Sequence, residues 1–159
     1  MLTSKAKYAL RAMTDLAAQT PGAAVFIADI AARQQIPRRF LENILLELRK
    51  RGLVVSQRGK TGGYALARAP EAINFADIIR VIDGPLALTP CTSRTAYRRC
   101  EDCKAEAECP IRRALMAVRD ASAAVLEATT LDQAVHPRAR ALKRARKRGT
   151  RKQKVSKRV

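Results

Sequence analysis

Leu53-Val54-Val55-Ser56-Gln57-Arg58-Gly59-Lys60-Thr61-Gly62-Gly63-Tyr64-Ala65-Leu66-Ala67 decides the fold of this 159-residue chain. Its ends, Leu53 to Ser56 and Tyr64 to Ala67, are short strand-like runs. The seven residues between them hold two cations, Arg58 and Lys60, and three glycines. Glycine takes positive φ and lets backbone come close to another surface, so the stretch reads as a hairpin with a pliant, cationic tip.

Working towards the N-terminus, a helix from Pro37 to about Arg51 carries Phe40, Leu41, Ile44, Leu45 and Leu48 on one face and stops at Gly52. A shorter helix covers Ile27 to Gln34, with Ile27, Ile30 and Ala31 inward. Gln35-Ile36-Pro37 is the tight turn between them. Two short helices so joined form a helix-turn-helix, whose second member normally enters the major groove of DNA. The hairpin that follows is then a wing, placed to reach phosphates or to put Arg58 into a narrow minor groove. A first helix, capped by Thr3 or Ser4, runs to about Gln19 with Ala9, Met13, Leu16 and Ala17 at helical spacing. Asn74 caps a fourth, whose apolar face is Phe75, Ile78, Ile79 and Ile82 and which Gly84-Pro85 stops. The expected fold is mainly α with a small β-hairpin wing: a winged helix-turn-helix over residues 1–84.

Residues 85–109 are a loop holding all four cysteines: Cys91, Cys100, Cys103 and Cys109. A Cys-x-x-Cys pair and two further thiols within this span supply four ligands, the number that satisfies tetrahedral zinc or an iron–sulfur cluster. Cys109 falls at the N-cap of the next helix, where unpaired amides and the helix dipole favour a thiolate. That helix, residues 110–132, places Ile111, Leu115, Val118, Ser122 and Val125 at alternating spacings of four and three. Such a seam suits a second helix, in a homodimer or within the same subunit.

The net charge of +18 is unevenly spread. Residues 137–159 hold 12 of the 32 Lys and Arg and no acid, which leaves only +6 on the first 136 residues. Residues 133–159 therefore read as a basic disordered tail, either merely solvated or adding sequence-independent attraction to DNA. No apolar run is long enough to span a membrane, and the N-terminus lacks the long apolar segment of a secretory signal. A cytoplasmic protein is expected, with reduced thiols. The single histidine, His136, stands beside the tail, and neither an acid–base constellation nor a phosphate-binding glycine loop is present. Enzymatic activity is not expected.

Pro37-Arg38-Arg39-Phe40-Leu41-Glu42-Asn43, Leu48-Arg49-Lys50-Arg51-Gly52-Leu53-Val54 and the Arg58-Gly59-x-x-Gly62-Gly63-Tyr64 wing resemble the winged-helix iron–sulfur regulators of the IscR, NsrR and RirA type. The opening Tyr8-Ala9-Leu10-Arg11 is similar to that family's first helix. The resemblance, over roughly residues 1–132, implies a homodimer with crossed long helices and wings reaching adjacent minor grooves. It implies base reading by Arg38, Arg39, Glu42 and Asn43 and a minor-groove role for Arg58. Arg can bond guanine bidentately, Asn adenine, and Glu can accept from cytosine. Arg49, Lys50 and Arg51 read either as phosphate contacts or as a solvated helix end. Cys91, Cys103 and Cys109 match the family's cluster ligands, with a longer gap after Cys91 and with Cys100 additional. Where some members have a ligating histidine this chain has Arg112 and Arg113, and where others use an N-terminal acid it has Lys7. All-cysteine ligation within one subunit follows as the simplest arrangement, either by all four thiols or with Cys100 or Cys103 spare. The function so implied is repression of a promoter by a dimer whose cluster, of two or four irons, senses iron, redox state or nitric oxide. Two rival readings of the cysteines are a structural zinc site and a cluster-free thiol switch, with Cys100 and Cys103 forming a reversible disulfide.

Overall fold

A computed structural model describes residues 2–59, 62–103 and 105–137. Lys60 and the tail from residue 138 onward lie outside the described residues. The order of elements is α1 (Ser4–Ala17), α2 (Ile27–Gln34), α3 (Arg38–Lys50), β1 (Val54–Gln57), β2 (Gly63–Leu66), α4 (Phe75–Ile82), α5 (Pro110–Ala128) and α6 (Leu131–Val135), with short 3-10 turns at Pro70–Ala72 and Pro90–Thr92. This is the expected mainly helical fold with one antiparallel hairpin, paired from Val54–Leu66 to Gln57–Gly63.

One core joins α1, α2, α3, α4 and α6. Met13 and Leu16 of α1, Ile30 of α2, Leu41, Ile44, Leu45 and Leu48 of α3, Leu53 and Val54 beside them, and Ile73 and Ile78 near α4 are all buried. Removing a side chain of this size from water contributes roughly 1.5–3 kcal/mol. The turn between α2 and α3 closes because Gln35 takes left-handed φ and ψ of 50° and 48°. Under it, Arg33 Nε and Nη2 donate to Asp15 Oδ1 and Oδ2 at 3.0 and 2.7 Å, and Gln34 Nε2 donates to Oδ1 at 3.0 Å. Burial alone would push the Asp15 carboxyl up, but these bonds and the Arg33 charge outweigh it and hold the carboxyl below its ordinary value. The helix-turn-helix is thus fastened to α1 through a buried, fully bonded carboxylate.

Several boundaries and one burial expectation change. α1 stops at Ala17, where Gln19 N–H turns back to Leu16 O at 3.3 Å ahead of Pro21. Pro37 is the N-cap of α3 instead of its first residue, and the helix ends at Lys50. Both strands sit one residue away from their expected bounds. Phe40, expected in the core, is exposed at the edge of the α3 face and packs edge-on against Tyr8, with ring centroids 5.8 Å apart. α5 ends at Ala128, and the chain then folds back. Phe75 N–H donates to Thr129 O, Leu131 N–H donates to Ile73 O, and Leu131 is fully buried. Residues 131–135 are therefore a helix docked on α1, where the tail was expected to begin at residue 133.

Candidate DNA interface and cysteine loop

The first turns of α3 present Arg38, Arg39, Glu42 and Asn43 to solvent, opposite the face that buries Leu41, Ile44 and Leu45. Arg38 Nε donates to Glu42 Oε1 at 3.2 Å, one helical turn on. Two of the four expected base readers thus hold one another in the single chain. At the far end of the helix Arg49 Nη1 donates to Ser56 Oγ at 3.0 Å, which ties α3 to the first strand of the wing.

The wing is anchored a second time. Val25 and Tyr64 exchange both backbone hydrogen bonds, at 2.9 and 2.8 Å, so the segment before α2 lies against β2. Arg58 stands exposed at the end of β1 and Gly59 follows with φ of 105°. The structure therefore brings an exposed helix face and an exposed hairpin arginine onto a body braced at both ends.

The cysteine loop leaves α4 at Gly84 and returns at Pro110. Cys91 is buried on the Pro90–Thr92 turn, while Cys100, Cys103 and Cys109 are half-buried. Thr89 Oγ1 lies 3.4 Å from Cys91 Sγ. That hydroxyl chiefly holds the Cys91 thiol below its ordinary range, against the effect of burial, with help from the Cys100 thiol and the Arg112 charge. Cys100 is pushed the other way, first by the neighbouring Cys91 thiol, then by burial and the Asp102 charge. The two thiols are therefore near enough for each to shift the other. Cys103 donates its N–H to Cys100 O at 3.3 Å. Cys109 is the N-cap of α5, its Sγ accepting from Arg112 N–H at 3.4 Å.

The donor set, four thiols with no histidine among them, suits iron or zinc chemistry. The geometry is not closed: among the described residues no three cysteine, histidine or acidic side chains are gathered closely enough to hold a metal ion. Cys100 is the thiol that feels its neighbours, with Cys91 the stronger influence and Cys103 a weaker one.

Two residues that the sequence did not single out as functional brace this loop from α5. Arg112 Nε donates to Cys91 O at 3.2 Å, and the buried Arg119 donates to Thr92 O and to Asp120 Oδ1. No periodic signal could have marked them, since both bonds run to backbone more than twenty residues away. Along the rest of α5 the seam is open. Ile111, Val118 and Val125 are 68%, 46% and 66% exposed. Beside it a groove of about 350 Å³ is lined by Leu2, Ile79, Leu86, Leu88, Val118 and Leu126, among others. No helix among the described residues is long and apolar enough to cross a membrane.

Comparison with known proteins agrees with this architecture. Residues 2–137 match the Rrf2 family model, described as an iron-dependent transcriptional regulator. An rrf2-like HTH-type transcriptional regulator of Rhodobacter capsulatus is 44% identical over 135 residues, covering 83% of this chain and 90% of its own length. CymR, the global cysteine regulator of B. subtilis, superposes with a TM-score of 0.70 at 32% identity, over 85% of this chain and 95% of that one. IscR of T. potens does so with a TM-score of 0.67 at 31% identity, over 86% and 87% of the two chains. With helix-turn-helix, wing and long helix in this order, and with the family matched over nearly all the described residues, the chain belongs to the Rrf2 family of winged-helix transcriptional regulators.

Proposed function

We propose that this chain is a cytoplasmic, homodimeric repressor whose hold on promoter DNA is set by the state of the cysteine loop, with an iron–sulfur cluster on Cys91, Cys100, Cys103 and Cys109 as the sensing group. One observation carries the regulatory part. Cys109 Sγ is the N-cap of the helix that bears the open apolar seam, so a ligand atom is built into the first turn of the proposed dimer helix. A change at that sulfur acts directly on the helix start. The iron-dependent description of the family and the likeness to IscR support the choice of iron.

When bound, a cluster supplies a redox-active crosslink between thiolates that no side chain can. For this chain to hold one, Cys103 and Cys109 have to approach the Cys91–Cys100 pair, which requires residues between 93 and 108 to move. Arg38, Arg39, Glu42 and Asn43 read base edges in the major groove, Arg58 enters the minor groove, and Lys60, two residues on in the sequence, adds a further DNA contact. Substituting Arg58→Ala is expected to cost about 1–3 kcal/mol of affinity, as for one lost specific contact, mainly on duplexes with an A·T-rich flank. Fluorescence anisotropy on duplexes differing only in that flank checks this, and equal losses on both would remove the minor-groove assignment.

The sensing group is tested by anaerobic purification with a visible spectrum and assays for iron, sulfide and zinc. The expected result is a brown protein that bleaches when Cys91, Cys103 or Cys109 becomes Ala. A colourless zinc protein would make the site structural. Metal-free protein that resists reconstitution would favour a second reading, a cluster-free thiol switch. The mutual influence of the Cys91 and Cys100 thiols supports that alternative, with Cys91 in place of Cys103 as the disulfide partner of Cys100.

A further inference from the structure

We propose that Arg119, together with Arg112, is the positioning device that makes the cysteine loop and α5 move as one body, so that the state of the thiols reaches the apolar seam. This rests on the regulatory reading above and adds the residues that carry it. The two arginines are seven positions apart, on one stripe of α5, and they seize consecutive carbonyls: Arg112 takes that of Cys91 and Arg119 that of Thr92. Both carbonyls belong to the Pro90–Thr92 turn that carries the buried Cys91.

Arg119 is the only strongly basic residue among the buried polar side chains of the described structure, 9% exposed. A cation is expensive to desolvate unless its donors are all used, and here they are aimed. Nε and Nη2 donate to Asp120 Oδ1 at 2.9 and 2.7 Å, which fixes the plane of the guanidinium and leaves Nη1 on Thr92 O. Asp120 is itself held by Arg94 Nη2 at 2.9 Å, from the segment just past the turn. Both Thr92 and Arg94 are thus tied to one point on α5. Lysine cannot reproduce a fork of this kind, because its donors radiate from a single nitrogen. On the neighbouring stripe Val118, Ser122 and Val125 face solvent, so a shift of the turn that drags Arg119 also turns the seam.

The test uses the full chain, loaded with iron and sulfide or metal-free and reduced, on a duplex selected in vitro with the wild-type protein. Wild type should show a ratio of affinities between the two states within the range of about 5–150-fold common for coupled sites. Arg119→Lys and Arg112→Gln should each bring that ratio towards one while keeping the visible spectrum of the loaded protein. Amide hydrogen exchange gives a second readout. In wild type, loading should change protection in residues 110–128 as well as 85–109, and in the variants only in 85–109. Either variant keeping both the wild-type ratio and the wild-type exchange pattern overturns the proposal. If Arg119→Lys fails to fold, Arg112→Gln alone decides it. If loaded wild type shows no affinity ratio, the regulatory reading fails, and the exchange pattern still tells whether the arginines join loop to helix.

Discussion

Val118→Glu is expected to convert the protein from dimer to monomer and to weaken binding to a two-fold-symmetric duplex by about 10²–10⁴-fold, the gain that linking two binding modules typically supplies. Val118 is the middle position of the seam formed by Ile111, Leu115, Val118, Ser122 and Val125, and it is 46% exposed in the single chain. Across a two-fold axis a residue near the crossing faces its own copy. Two glutamates there would meet each other and an apolar neighbour, and neither finds a cation on the exposed seam stripe itself. The subunit should survive, because Val118 is not part of the buried core. Sedimentation reads the oligomeric state and anisotropy the affinity. A variant that stays dimeric would place the subunit contact away from α5. A monomer that binds as tightly as wild type would mean that one wing and one α3 suffice.

How much of this was legible follows from where the information lay. α3 and its neighbours repeat apolar residues with helical period, and Leu41, Ile44, Leu45 and Leu48 are all in the core. The wing has Gly62-Gly63 at its second strand, and Cys109-Pro110 marks the start of α5 by capping chemistry alone. These are local signals, and they gave the fold. Phe40 misled because an apolar residue at the margin of a helix face has the same period as one at its centre. α6 was invisible because Leu131 is buried by two backbone bonds between distant segments, Asn74 and Thr130 lying side by side there. The loop behaves likewise. Cysteine spacing indicated ligands, but the mutual influence of Cys91 and Cys100 and the grip of Arg112 and Arg119 depend on how a chain without periodicity is folded over α5. Chemistry is readable from residue types; which groups meet across a loop is not.

Gly63→Ala is expected to destabilise the protein by about 3–5 kcal/mol, combining backbone strain of roughly 1–3 kcal/mol with hydrogen bonds worth about 1 kcal/mol each. Gly63 has φ of 149°, and a Cβ built on it would lie 2.3 Å from Val25 O and 2.5 Å from Val25 C. Those atoms are backbone, and they cannot retreat without giving up the paired bonds between Val25 and Tyr64. The comparison that isolates this cause is Gly59→Ala. Gly59 also has positive φ, 105°, but a Cβ there would meet nothing within 4 Å. It should carry the conformational term alone, about 1–2 kcal/mol. Urea unfolding of both variants therefore separates strain from collision. Against a typical total of about 5–15 kcal/mol, the Gly63 change removes a large fraction of the stability. It should also cost DNA affinity in the molecules that remain folded, since the brace between β2 and the segment before α2 ties the hairpin that carries Arg58 to the helix-turn-helix. Equal losses at the two positions would show that the chain's close approach at Val25 is not what demands glycine there.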